Sequence, residues 1–96
     1  MLKHIVLFKL KNGLDPHTPC MMKDALEGLI GKIPEIRKME VGIDMTASPV
    51  SYQVALYTEF DDKESLLSYQ RHPEHLKVAE FVIGQSEQRA VVDYMA

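Results

Sequence analysis

In this 96-residue chain, proton chemistry could rest first on His4 and His75. His4 lies in a run from Leu2 to Lys11 in which Leu2, His4, Val6, Phe8 and Leu10 share one face by the period of two. An apolar layer there opposes charge, so the imidazole is expected to be neutral and able to accept a proton. The simpler reading of the same position is a buried histidine satisfied by one hydrogen bond, and the spacing alone favours it. His75 follows Pro73 by two residues, near the start of a helical segment, where the positive end of the helix dipole also disfavours imidazolium. Without further support it reads as a histidine exposed on a first helical turn. Asp93, on the last strand pattern, could orient a histidine or contact a ligand, although an edge-exposed carboxylate beside Tyr94 is the commoner situation.

Other reactive residues point nowhere specific. His72 and His75 have a three-residue spacing that can present two imidazoles together, but Pro73 interrupts the helix and no third ligand is adjacent, so no metal centre is expected. His17, beside Pro16 in a polar loop, reads as solvent-exposed. The lone Cys20 has no second thiol to form an intrachain disulfide or a redox pair. A helix start nearby could lower its pKa, but with no visible partner it reads as a free, unreactive thiol. No glycine-rich phosphate loop or nucleophile elbow is present, so no cofactor is expected and serine hydrolysis lacks its parts.

The elements that must position these residues follow from periodicity. The strand at Leu2 to Lys11 is apolar on both faces at its centre, as interior strands are. After Asn12-Gly13, Thr18-Pro19 predicts a helix with Thr18 as its cap. Met22, Ala25, Leu26, Leu29, Ile30 and Ile33 form its buried stripe, and Gly31 and Pro34 end it. A half-exposed strand is predicted over Ile36 to Asp44 and an interior one over Tyr52 to Phe60. Asp61 with Glu64 predicts a capped helix start. Pro73 predicts a kink or break at His72, before a second segment that carries Leu76, Ala79, Val82 and Ile83 to Gly84. Ala90 to Met95 closes the chain as a strand.

This order, β-α-β-β-α-β, is an α+β, ferredoxin-like arrangement with a four-stranded antiparallel sheet and helices on one face. Residues 1–96 fit one domain. The first and third strands are apolar on both faces while the helices suffice for only one, so the sheet should pair with a second copy of the chain as a dimeric α+β barrel. A net charge of −3 argues against nucleic acid as a partner. The short apolar runs and the absence of a signal-peptide core predict no membrane span and a cytoplasmic location.

Four segments in order, Lys3-His4-Ile5-Val6-Leu7-Phe8-Lys9-Leu10, Gly31-Lys32-Ile33-Pro34, His72-Pro73-Glu74-His75 and Val92-Asp93-Tyr94, resemble the stress-responsive A/B barrel (Dabb) family of dimeric α+β barrels. The resemblance spans essentially the whole chain. Most members have no assigned reaction. One plant relative, olivetolic acid cyclase, closes a polyketide ring by aldol chemistry in a pocket between helices and sheet. The resemblance implies a pocket-lining histidine at His4, a general base at His75 and an assisting phenol at Tyr69. A further pocket histidine of the cyclase falls at Val54 here, which puts that particular substrate in doubt.

Three readings follow. The first is a binder of a small, mostly apolar molecule between helices and sheet, with His4, Val6, Phe8, Tyr69, His75 and Asp93 as its site. The second is a cofactor-independent enzyme using His75, Tyr69 and His4 for proton transfer, as in aldol-type cyclisation or isomerisation. The third is a structural assembly unit whose pocket is filled by side chains. A monooxygenase reading is weakened because related barrels with that activity commonly use Trp and Asn, whereas this chain has no Trp and its one Asn is Asn12.

Overall fold

A computed structural model describes residues 1–96. In chain order the elements are β1 (Leu2–Leu10), α1 (Thr18–Glu27), β2 (Lys38–Ile43), β3 (Val54–Phe60), α2 (Lys63–Arg71), α3 (Pro73–Gln85) and β4 (Ser86–Met95). They form one antiparallel sheet in the order β2-β3-β1-β4. β1 and β3 are interior, as their two-sided apolar patterns required. The first and last residues lie side by side, with Met1 and Ala96 exchanging backbone hydrogen bonds of 3.0 Å.

The helices cover one face of the sheet. Cross-strand partners project to the same side, so the register places His4, Thr58 and Asp93 in one row, Val6, Leu56 and Val91 in the next, and Phe8, Val54 and Arg89 in a third. Met22 and Leu26 of α1 pack on Val41, Val54 and Leu56, while Leu29, Ile33 and Leu66 enclose Leu2, Phe60 and Tyr69. No helix of the protein is long and apolar enough to cross a membrane.

Several local expectations are corrected. The cap of α1 is His17 rather than Thr18, and no side chain caps it. The Asp15 carboxylate instead accepts the His17 backbone N–H at 2.7 Å, fixing the approach to the helix one residue early. The helix itself stops at Glu27. Residues from Gly28 onward continue as separate turns, which lets Leu29 and Ile33 stay buried but leaves Ile30 54% exposed, off the predicted stripe. Gly31 has φ 87°, the left-handed conformation that releases the chain from these turns.

The cap of α2 is Asp62, whose carboxylate accepts the Ser65 N–H at 2.8 Å, and not Asp61. Asp61 is taken by Arg37 in a two-pronged pair at 2.8 and 3.1 Å, which also holds the Asp61 carboxyl below its ordinary range. β2 and β3 are each shorter than predicted, and β4 begins four residues earlier, at Ser86 rather than Ala90. As an edge strand, β4 can leave Glu87, Gln88 and Arg89 in water while its backbone pairs with β1, so polarity did not mark its start.

Pro73 acts as the sequence required. His72 takes an extended backbone, φ −61° and ψ 134°, ending α2 and starting α3. Its Nδ1 accepts the Glu74 backbone N–H at 3.1 Å, capping the second helix. The break turns α3 relative to α2 at the point where His75 leaves the chain.

Candidate functional site

Between α3 and the β1/β4 side of the sheet, the side chains leave a cavity of about 160 Å³. An engineered apolar cavity of about 150 Å³ takes up benzene, so this one matches a single six-membered ring or a short branched chain. Val6, Phe8 and Leu56 form its floor, and Ala79, Val82 and Ile83 of α3 its roof. These helix positions lie four, seven and eight residues after His75, on one helical face. His4, Tyr69 and His75 meet at one end, where they are buried or half-buried, whereas Arg89 and Val91 of β4 are exposed and mark the open side.

Tyr69 is fully buried, and its hydroxyl has no hydrogen-bond partner among the protein groups. Its ring stands 4.4 Å from that of His75 and 4.9 Å from that of Phe60, centroid to centroid. Burial pushes the phenol well above its ordinary pKa, so at neutral pH Tyr69 is a hydrogen-bond donor rather than a phenolate.

His75 is held by a backbone carbonyl. Its Nδ1 donates to Gln70 O at 3.1 Å, which leaves Nε2 as the basic nitrogen of the neutral ring. Burial is the main cause that lowers its pKa from 6.5, with nearby His4 and His72 adding to the effect and the Gln70 carbonyl opposing it. A histidine whose native pKa is depressed stabilises the fold above its unfolded pKa. That contribution is lost as pH falls through about 6.5 toward the native value, because the unfolded chain takes up the proton first. Thermal unfolding between pH 7.5 and 5 is therefore expected to show a smaller acid-side loss in His75→Gln than in the parent. An identical slope would mean that His75 does not titrate in this window.

His4 is buried, and its Nδ1 hydrogen-bonds the Asp93 carboxylate across the β1/β4 ladder. A carboxylate only accepts, so the proton sits on Nδ1 and Nε2 is the nitrogen left for the cavity. The His4 ring lies edge-on to Tyr69 at 6.4 Å. His4, Tyr69 and His75 thus form one contiguous group, and in both imidazoles Nδ1 is the nitrogen engaged by the protein.

Of the residues singled out by sequence, His4, Val6, Phe8, Tyr69 and His75 line this cavity, while Asp93 reaches it only through His4. Cys20 and His17 lie on the surface away from it. Sequence reasoning did not single out Gln70, Arg89 and Val91 as site residues, and it read Leu26, Leu56, Ala79, Val82 and Ile83 only as apolar positions of their strand and helices. Leu56, Val91 and Arg89 become legible only once the register is known, since they oppose Val6, Val6 and Phe8.

This fold and cavity define a ferredoxin-like α+β domain with a small, largely apolar pocket under its helices. Residues 2–96 match the model of the Stress responsive A/B Barrel Domain, and the chain belongs to that family. It is 32% identical over 77 residues to an uncharacterised protein of Streptomyces coelicolor, covering 78% of this chain and 79% of that one. A dimeric protein of unknown function with a ferredoxin-like fold from Bacteroides fragilis is 39% identical with a TM-score of 0.85, covering 99% of this chain and 95% of that one. A hydroxynitrile lyase from Passiflora edulis shares the fold at 19% identity and a TM-score of 0.87, covering 99% and 92% of the two chains.

Proposed function

We propose that the protein is a homodimer in which each copy binds a small, mostly apolar molecule in the cavity between α3 and the sheet. The observation that carries the binding reading is the unpartnered Tyr69 hydroxyl, buried beside a cavity that side chains do not fill. A buried hydroxyl without a partner costs about 1–3 kcal/mol, and a ligand oxygen or nitrogen at the closed end would remove that cost. The third sequence reading, a purely structural unit, needs a packed pocket and is disfavoured by the same cavity. A stress-linked setting is consistent with the family's description.

The test is titration of isotope-labelled protein with benzyl alcohol, followed by NMR. Saturable shifts are expected at Val6, Tyr69 and Val82, with none at the distant Cys20. A titration that leaves those three signals unmoved overturns the reading. Native mass spectrometry of protein purified from its own host would then identify the natural occupant by mass.

A second reading, proton-transfer catalysis, is favoured by one specific observation: the Gln70 carbonyl fixes His75 as a neutral base with Nε2 free. In this reading His75 removes a proton from a carbon next to a carbonyl. The Tyr69 phenol donates to the oxygen on which negative charge develops. The Passiflora edulis neighbour is a lyase, and catalysis on small molecules is compatible with the fold. Deuterium exchange into phenylacetone is expected to be accelerated by the parent protein and not by His75→Gln. Equal rates with and without protein would rule this chemistry out.

The dimer reading rests on the face that the helices leave open. Ile5, Leu7, Ala90, Val92 and Tyr94 form an apolar patch there, with Leu7, Val92 and Tyr94 exposed. Lys3, Lys38, Tyr57 and Glu59 give it a polar flank. An apolar centre with a polar rim is the composition of a protein interface, and the Bacteroides fragilis protein is described as dimeric. Sedimentation velocity at micromolar concentration is expected to give a dimer, and Val92→Glu a monomer. A monomeric parent protein would contradict the assignment.

A further inference from the structure

We propose that the ligand of this cavity is a small organic anion, a carboxylate with an apolar body, and that Arg89 is the residue that selects it. The proposal rests on the binding reading above and names the ligand's charge. Arg89 is the only wall residue with a fixed charge. It opposes Phe8 on β1, so it projects toward the helix-covered side, at the open side of the cavity. No carboxylate pairs with it: the ion pairs of the protein involve Asp15, Glu27, Asp61, Glu74 and Asp93, and none involves Arg89. Its neighbour on the same side of β4 toward the closed end is Val91, which cannot neutralise it.

The two ends of the cavity therefore differ. At the closed end stand a phenol donor and two imidazoles, while the walls between are apolar. At the open side is a guanidinium, whose planar donors match a carboxylate in a two-pronged pair. His4 and Phe8 are four residues apart on β1, so about 13 Å of strand separates the two rows. A ligand whose body sits on the Val6 row between them lies about 7 Å from each, within the length of an extended arginine side chain. Such a molecule would seat its ring or chain on Val6 and Leu56 and leave its carboxylate at the mouth. The chain as a whole carries −3, so its general field repels anions. A preference for them would have to be local, which makes it attributable to one residue.

The experiment compares phenylacetate with phenylacetamide, which share a skeleton and differ in charge, by calorimetry and by NMR shifts at Val6 and Val82. The parent protein is expected to bind phenylacetate about tenfold more tightly at low salt, the scale of one partly exposed charge-assisted pair. Arg89→Leu should bind the two with equal affinity, and Arg89→Glu should favour phenethylamine over both. Arg89 is exposed on an edge strand, so these variants leave the core untouched. Equal binding of acid and amide by the parent, or a preference that survives in Arg89→Leu, overturns the anion assignment while the binding reading stands. Absence of cavity shifts with either compound overturns the binding reading, and the assignment with it.

Discussion

Phe60→Ala is expected to lower the unfolding free energy by about 3–5 kcal/mol, the usual cost of emptying a large aromatic site. The ring is fully buried in one cluster with Leu2 of β1, Leu66 of α2 and the tilted ring of Tyr69, 4.9 Å away between centroids. Because these neighbours are held on both β1 and α2, they cannot collapse together into the space, which places the loss toward the upper end. Domains of this size have roughly 5–15 kcal/mol in total. Urea unfolding should therefore show a large fall in the midpoint, whereas Val50→Ala, at an 86% exposed position, should change stability by less than about 0.5 kcal/mol. A fall of less than about 1 kcal/mol for Phe60→Ala would mean that the site under Tyr69 is not tightly packed.

Tyr69→Phe should act in the opposite direction. It removes a buried hydroxyl with no partner and keeps the ring that packs against Phe60 and His75. The variant is expected to be more stable by about 1 kcal/mol. For a domain of this length that raises the melting temperature by about 4–8 °C. It should at the same time weaken binding of any ligand that the hydroxyl contacts. The pairing of the two signs is the informative part, since a residue kept for packing alone would not gain stability on losing its polar atom. A variant less stable by more than about 1 kcal/mol would show that the hydroxyl is satisfied in the native protein.

What was legible in the sequence depended on the range of the interaction. The period of two across Leu2 to Leu10 and Val54 to Phe60, and the constraint that Pro73 places on His72, are local, and they gave the elements and their order. The shortage of cover on one sheet face also followed from the pattern. The cap of α2 was off by a single residue because adjacent aspartates compete: Arg37, distant in sequence, takes Asp61 and leaves Asp62 for the helix. The start of β4 was hidden because an edge strand tolerates polar residues on both sides. At the site, His4 was legible from its face. Its contact with Asp93 and the presence of Arg89 depend on which residue of β4 opposes which residue of β1, a register that no local pattern states.

That register has a consequence for how the molecule comes into being. β1 is made first yet sits between β3 and β4, so its two partners arrive about fifty and about ninety residues later along the chain. While the chain is being synthesised, the ladder that brings Asp93 to His4 and Arg89 opposite Phe8 cannot form until residues 86–95 have emerged. Pairing across that span is slow compared with helix formation, because the loop must close before any contact offsets its entropy. The nascent first strand, with apolar residues on both faces, therefore waits longest for cover and is the segment most in need of protection from premature association.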